Sequence, residues 1–173
     1  MKKWTIDPTH TEVGFKVKHM MFTNVKGNFN DYSAEIDFDN DLKEANLQFE
    51  AKVNSIFTNN TDRDNHLKSA DFFDAEQYPT LNFKSTKIEG DGNEYQITGD
   101  LTIKGITKPV TLNTEFSGLM TDPWGNTKVG INLDGKINRK DFGLTYNAAL
   151  ETGGVLVGED VKLNAEIQLV EQK

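Results

Sequence analysis

The 173-residue sequence contains no cysteine. Disulfides, zinc–thiolate sites and cysteine nucleophiles are thereby excluded. A domain of this length buries roughly 70% of its unfolded surface and needs no such staple. A long apolar run is missing too. No stretch approaches the ~20 apolar residues of a membrane-crossing helix. The lysines of Met1-Lys2-Lys3-Trp4 are not followed by the apolar core of a signal peptide. The expectation is a cytoplasmic protein without stable membrane insertion; a periplasmic or secreted location is expected only of a chain with a leader ahead of Met1. Basic excess is also lacking. Lys and Arg number 19 against 27 Asp and Glu, a net charge of -8. An acidic surface repels phosphate backbones and anionic headgroups, so no nucleic-acid partner is expected. No linker, repeat or low-complexity segment divides the chain, which reads as one domain over residues 1–173.

What is present is alternation. In Val13-Gly14-Phe15-Lys16-Val17-Lys18-His19 the odd positions are apolar or aromatic and the lysines are even, as in a strand with one wet face. Phe29, Tyr32, Ala34, Ile36 and Phe38 follow, with a phase slip after Phe29 that suggests a bulge. Leu47, Phe49, Ala51 and Val53 make another strand, and Leu81 and Phe83 another. Tyr95, Ile97, Leu101 and Ile103 share one parity, as do Val110, Leu112, Thr114 and Phe116. Val129, Ile131, Leu133 and Ile137 come next, then Val161, Leu163, Ala165, Ile167 and Leu169. Asp39-Asn40-Asp41, Gly90-Asp91-Gly92-Asn93, Lys104-Gly105, Asp122-Pro123-Trp124-Gly125-Asn126 and Gly153-Gly154 read as turns.

One segment lacks the two-residue period. It predicts a short helix around residues 62–73, capped by Thr61 or Asp62, with Leu67, Ala70 and Phe73 facing inward. Pro79 then opens the next strand. The fold class is all-β: a single antiparallel barrel of eight or more strands with one short helix, closure removing the exposed edges.

Two readings of the inward face stay open. Apolar stripes at strand spacing usually form a packed core. Yet strands of about eight residues span roughly 26 Å, long enough for a tube that takes an extended lipid chain. On parity, the wall of such a tube comprises Phe15, Val17, His19 and Met20; Phe29, Ile36 and Phe38; Leu47, Phe49 and Val53; Leu67 and Phe72; Leu81 and Phe83; Ile97, Leu101 and Ile103; and Phe116, Ile131 and Leu133. One unseen bulge would invert a whole strand of that assignment.

An ordered series of motifs bears on the choice. Trp4-Thr5-Ile6-Asp7-Pro8-Thr9-His10-Thr11 opens the chain, followed by Phe15-Lys16-Val17-Lys18-His19-Met20 and Val25-Lys26-Gly27-Asn28-Phe29. Then come Arg63-Asp64-Asn65-His66-Leu67, Asp71-Phe72-Phe73-Asp74 and Tyr78-Pro79-Thr80-Leu81-Asn82-Phe83. Gly99-Asp100-Leu101-Thr102-Ile103-Lys104-Gly105 and Asn138-Arg139-Lys140-Asp141-Phe142-Gly143 complete the set. Each motif alone is weak, but the series resembles the YceI-like family of polyisoprenoid-binding proteins from end to end. The resemblance implies a lipocalin-like barrel with a long hydrophobic pore. It implies a long-chain isoprenoid partner, of polyprenyl or quinone type, held for transport, storage or sequestration. A homodimer is an expectation from the resemblance alone.

The polar residues suggest little chemistry. The three histidines, His10, His19 and His66, do not share one face, so no metal site and no cofactor is expected. His19, Arg63, His66 and Arg139 are candidate contacts to a lipid headgroup at the barrel mouth. The competing reading of Arg63-Asp64, and of Arg139 with Asp141, is structural pinning. Ser55, Ser69 and Ser117 lack a nucleophile's strand–turn–helix setting. The region of Gly99 and Gly105 is strand and turn, not a phosphate loop. Asn59-Asn60-Thr61 fits a glycosylation sequon of a kind frequent by chance. The expectation is a non-enzymatic lipid binder. Two rivals remain: an isomerase or cyclase working on a barrel-bound lipid, and a filled barrel that acts through its surface as a stress or interaction protein.

Overall fold

Period-two alternation becomes paired strands along nearly the whole chain. The computed structural model describes residues 1–20, 22–147 and 157–173. Its strands are β1 (Lys3–Ile6), β2 (Glu12–His19), β3 (Thr23–Phe29), β4 (Tyr32–Asp37), β5 (Asn46–Lys52), β6 (Ile56–Phe57), β7 (Thr80–Asp91), β8 (Glu94–Ile103), β9 (Ile106–Phe116), β10 (Met120–Thr121), β11 (Thr127–Asn138) and β12 (Val157–Glu171). One α-helix, α1 (Thr61–Lys68), lies between β6 and β7.

Every strand pairing is antiparallel. β11 and β12 close the sheet on itself, in register from Lys128–Val170 to Asn138–Asp160. Three staves of the barrel are bent, each built from two strands. β1 and β2 meet at a 3-10 turn, Pro8–His10, where the Asp7 carboxylate accepts the Thr9 amide at 3.0 Å. β3 and β4 meet at Asn30-Asp31, held by Asn30 N–H to Ser55 O (3.2 Å) and by Lys52 N–H to Asp31 O (2.9 Å). β5 and β6 meet at a second 3-10 turn, Val53–Ser55. With each bent pair counted once, and the two-residue β10 taken with β9, which it continues alongside β11, eight staves form a closed antiparallel barrel. The phase slip after Phe29 is thus a bend between two strands, not a bulge. Register breaks instead occur between Ser85 and Lys87 and between Val157 and Val161. The expected turn at Gly153-Gly154 lies outside the described residues.

α1 is shorter than the sequence predicts. It is capped by Asn60, whose side chain accepts the Arg63 amide at 3.0 Å, and not by Thr61 or Asp62. It ends at Lys68 because Ser69 leaves helical geometry and turns both its amide (3.1 Å) and its hydroxyl (2.6 Å) onto His66 O. Ala70, past this break, is exposed. Phe73 still reaches inward, its amide donating to Leu67 O at 3.0 Å.

The interior divides lengthwise into two apolar clusters. One gathers Trp4, Phe38, Leu42, Tyr95, Phe116, Ile131 and Leu169. The other gathers Phe29, Ala51, Leu81, Leu101, Ile137, Phe142 and Leu144. The open space of the barrel lies among the side chains of the second cluster and reaches Ile36, Leu47 and Ile97 of the first.

Candidate functional site: an apolar cavity in the barrel

Inward-facing residues of nearly every stave line a cavity of about 230 Å³. Among the described residues its wall is almost wholly aliphatic and aromatic, with polar character only from Gln48, Asn164 and Arg139. Among the described residues it carries no carboxylate, histidine, serine or lysine. Two glycines make room for rings on the wall. A Cβ on Gly27 would meet Phe15 Cζ at 2.4 Å, and one on Gly99 would meet Phe83 Cζ at 2.5 Å. Both phenylalanines therefore lie against bare backbone of the neighbouring strand.

Of the residues assigned to the wall by parity, Phe15, Val17, Phe29, Ile36, Leu47, Phe49, Leu67, Phe72, Leu81, Phe83, Ile97, Leu101, Ile103 and Leu133 line the cavity. Six do not. Phe38, Phe116 and Ile131 share the inward parity but sit at the filled end, where Phe38 stacks on Trp4 and meets Phe116 edge-on. Val53 is buried in the 3-10 turn outside the cavity. Met20 belongs to a turn, with φ of 52°, and is exposed. His19, the last residue of β2, is half-buried beyond the lining. Parity gives the face of a strand but not the height along the barrel axis, and it fails where the strand ends.

The parity assignment also omitted part of the wall. Val161, Leu163, Ala165 and Ile167 of β12 line it, as do Ile6, Val13, Ala34, Leu112 and Ile137. The β12 alternation carried that signal. Leu144 and Val157 lie in or beside loops, where no period marks them.

Of the polar groups expected at the mouth, Arg63, His66 and Arg139 are engaged by the protein itself. Arg63 donates from Nε to Thr58 Oγ1 (2.8 Å) and from Nη2 to Thr58 O (2.6 Å). Beside it, buried Asp64 accepts the Thr58 amide (2.9 Å) and hydroxyl (2.5 Å). This network fastens α1 onto β6. His66 pairs through Nε2 with Asp71 (2.9 Å) and lies edge-on to Phe72 and Tyr146. Phe72 is part of the cavity wall, so this aromatic trio sits over it.

Arg139 is 3% exposed and does line the cavity. Its guanidinium donates to Leu144 O (2.5 Å), Tyr146 O (2.9 Å), Gly158 O (2.8 Å) and Val157 O (3.3 Å). It thereby ties the two described flanks of residues 148–156 together. Burial lowers its pKa from the usual arginine value, against the opposing pull of Glu159. The remaining histidine, His10, is held by Asp7 and Thr9. Among the described residues no three His, Asp or Glu side chains converge as metal ligands would.

A second recess, about 720 Å³, is larger but bordered mostly by polar and acidic residues. Glu89, Glu94, Glu115, Asp134 and Glu166 border it. Such a surface suits water, and the smaller apolar cavity is the better ligand site.

A closed antiparallel barrel with an apolar interior and a short helix beside the cavity is a lipocalin-like architecture. The YceI-like domain profile matches residues 4–169, and the chain belongs to that family. A UPF0312 protein of Staphylococcus epidermidis is 41% identical over 170 residues, covering 97% of each chain. A UPF0312 protein of Staphylococcus aureus is 38% identical over the same span and coverage. The Campylobacter jejuni YceI protein superposes with TM-score 0.78 at 41% identity, covering 100% of both chains. A domain from Saccharophagus degradans described as polyisoprenoid-binding has the same fold, with TM-score 0.71 at 13% identity, over 99% of this chain and 100% of its own.

Proposed function

We propose that the barrel binds the apolar chain of a long lipid, an isoprenoid of polyprenyl or quinone type, and acts by holding it and not by transforming it. The observation that carries this reading is the cavity wall of Phe, Leu, Ile and Val, free of acid–base groups among the described residues. The isoprenoid class rests on the family and on the description of the Saccharophagus degradans domain.

Apolar burial supplies about 0.8 kcal/mol per methylene-sized group, less the costs of ordering and association. An apolar protein cavity of about 150 Å³ takes a benzene ring. By that scale the 230 Å³ here holds roughly nine or ten carbons, or two isoprene units. A longer chain therefore requires the wall phenylalanines to move, or the chain to run out past α1. Arg139 turns its guanidinium onto the carbonyls of Leu144, Tyr146, Val157 and Gly158, whereas Arg63 donates only from Nε and Nη2, both to Thr58. Discrimination by headgroup therefore falls to Arg63 Nη1 and to whatever else projects from the mouth.

The test is organic extraction of purified protein and mass spectrometry against a mock purification, with Ala34→Phe, which narrows the cavity, as comparison. A stoichiometric polyprenyl or quinone species, reduced in the variant and recovered unchanged after prolonged incubation, is expected. A blank that persists after incubation with isoprenoids overturns the binding reading; a converted ligand overturns the non-catalytic one.

A further inference from the structure

The net charge of -8 conceals a basic face. Lys136, Lys162, Lys16 and Lys26 are directly opposed residues on four adjacent strands, β11, β12, β2 and β3. Their neighbours Phe15, Val17, Val161 and Ile137 line the cavity, so the lysines point outward. Lys18 extends the row one step along β2, opposite Asn24. Like charges placed directly opposite one another destabilise a sheet. Among the described residues only Lys136 of this group has an ion pair, with Asp160 at 3.6 Å. Protection of a free sheet edge explains Lys26, because among the described residues β3 pairs on its far side only at Asn28 and Phe29. It does not explain Lys16, Lys162 or Lys136, which lie on interior strands.

The lysines are set toward one end. Beyond them, away from the β2–β3 turn, the next level across the strands is Asp134, Asn164, Gly14 and Asn28, and the one after includes Glu166 and Glu12. Toward the turn, Asp160 and Glu159 of β12 are held by Lys136 and Lys140, and past them lie exposed apolar side chains. Phe22 is 84% exposed and Met20 is 44% exposed. This tip stands at the cavity's end of the barrel: its base, His19, pairs with Val157, a lining residue.

We propose that this tip and the lysine row form a docking surface for an anionic lipid bilayer, with Phe22 and Met20 entering the interface and Lys16, Lys18, Lys26 and Lys162 meeting the headgroups. Charge complementarity selects the occupant, and the adjoining apolar cavity gives docking a use, because a water-insoluble chain must be loaded from and returned to a membrane. Each lysine near an anionic surface strengthens binding about fivefold, an effect that salt screens. The exposed aromatic adds a salt-independent part. Docking does not depend on which lipid the cavity holds, so it stands or falls separately from the isoprenoid reading.

The experiment is sedimentation of the full chain with vesicles of phosphatidylcholine, with and without phosphatidylglycerol, at low and high salt. Partition onto the anionic vesicles is expected to be at least tenfold stronger and to weaken with salt. The triple variant Lys16→Gln, Lys26→Gln, Lys162→Gln is expected to lose roughly a hundredfold. Phe22→Ser is expected to weaken partition while leaving the salt dependence unchanged. Both variants should keep the thermal stability of the parent and its binding of parinaric acid in vesicle-free buffer, which reads the cavity alone. Equal partition onto both vesicle types, no loss in the triple variant, or binding to duplex DNA without binding to anionic vesicles would overturn the proposal.

Discussion

The indole of Trp4 lies flat on the ring of Phe38, with centroids 4.5 Å apart and planes 5° apart, and its Nε1–H donates to the Phe38 carbonyl at 3.0 Å. β1 and β4 are thus joined by a stack and a hydrogen bond at the filled end of the barrel. Phe38→Ala removes the stack and the edge contact with Phe116 and leaves a void; a cost of about 3–5 kcal/mol is expected. Trp4→Phe keeps an aromatic ring but leaves a buried carbonyl unpaired, for about 1–3 kcal/mol. Urea unfolding midpoints at constant slope measure both. A cost below about 1 kcal/mol for Phe38→Ala would show that this end is not what holds the barrel shut.

At the other end the wall depends on an absence. Phe15 rests on Gly27, its direct partner across β2 and β3. Gly27→Ala places a methyl group where the ring lies and drives Phe15 into the lumen. The clashing atoms are the far end of the ring and the Thr58 methyl, so the fold is expected to survive at a cost of about 1–3 kcal/mol. Lipid capacity should fall well below that of the parent by mass spectrometry of extracts. Undiminished capacity would mean that the ring has another place to go.

These two ends show how far the sequence could be read. Phe38 and Phe15 carry the same inward signal, and the strand pattern that yields an eight-staved barrel is visible in both. What separates plug from wall is height along the axis, set by three bends at Pro8–His10, Asn30-Asp31 and Val53–Ser55. Of these only the second left a mark, as the phase slip after Phe29. Met20 failed because a strand pattern was carried one residue into a turn of positive φ. Ala70 failed because Ser69 caps the helix early. The lysine row was invisible for a different reason: Lys136 and Lys26 fall at the two ends of one row only through the registers of four strands drawn from both ends of the chain.

The clamp at α1 makes a further prediction. Asp64 is 8% exposed and accepts two hydrogen bonds from Thr58, whose hydroxyl also receives Arg63 Nε–H. Asp64→Ala strands the Thr58 amide and removes the tie between α1 and β6. A loss of about 1–3 kcal/mol is expected. Amide exchange should quicken over residues 58–75 more than in β8 and β9. Uniform acceleration across the barrel would make Asp64 part of the global core and not of a local fastening.

The hairpin turn between β10 and β11 carries the clearest pH dependence. Asp122 accepts the backbone amides of Asn126 and Trp124, both at 2.9 Å, along with the Asn126 side-chain amide at 3.1 Å, and Lys128 lies 3.4 Å away. These donors, led by the Asn126 amide, hold its pKa down to about 2 from an ordinary 3.8. A carboxylate whose pKa is depressed on folding contributes stability that is complete above the unfolded value and lost as pH falls through the folded one. The contribution of Asp122 should therefore be whole above pH about 4 and fade toward pH about 2. Asp122→Asn should lower the urea midpoint at neutral pH and flatten its acid decline over that window. Amide exchange at Trp124 and Asn126 should quicken in the variant at neutral pH. Parallel acid declines in parent and variant would assign the acid sensitivity to other carboxylates, with Asp7, whose pKa is lowered by Thr9 and His10, the next to test.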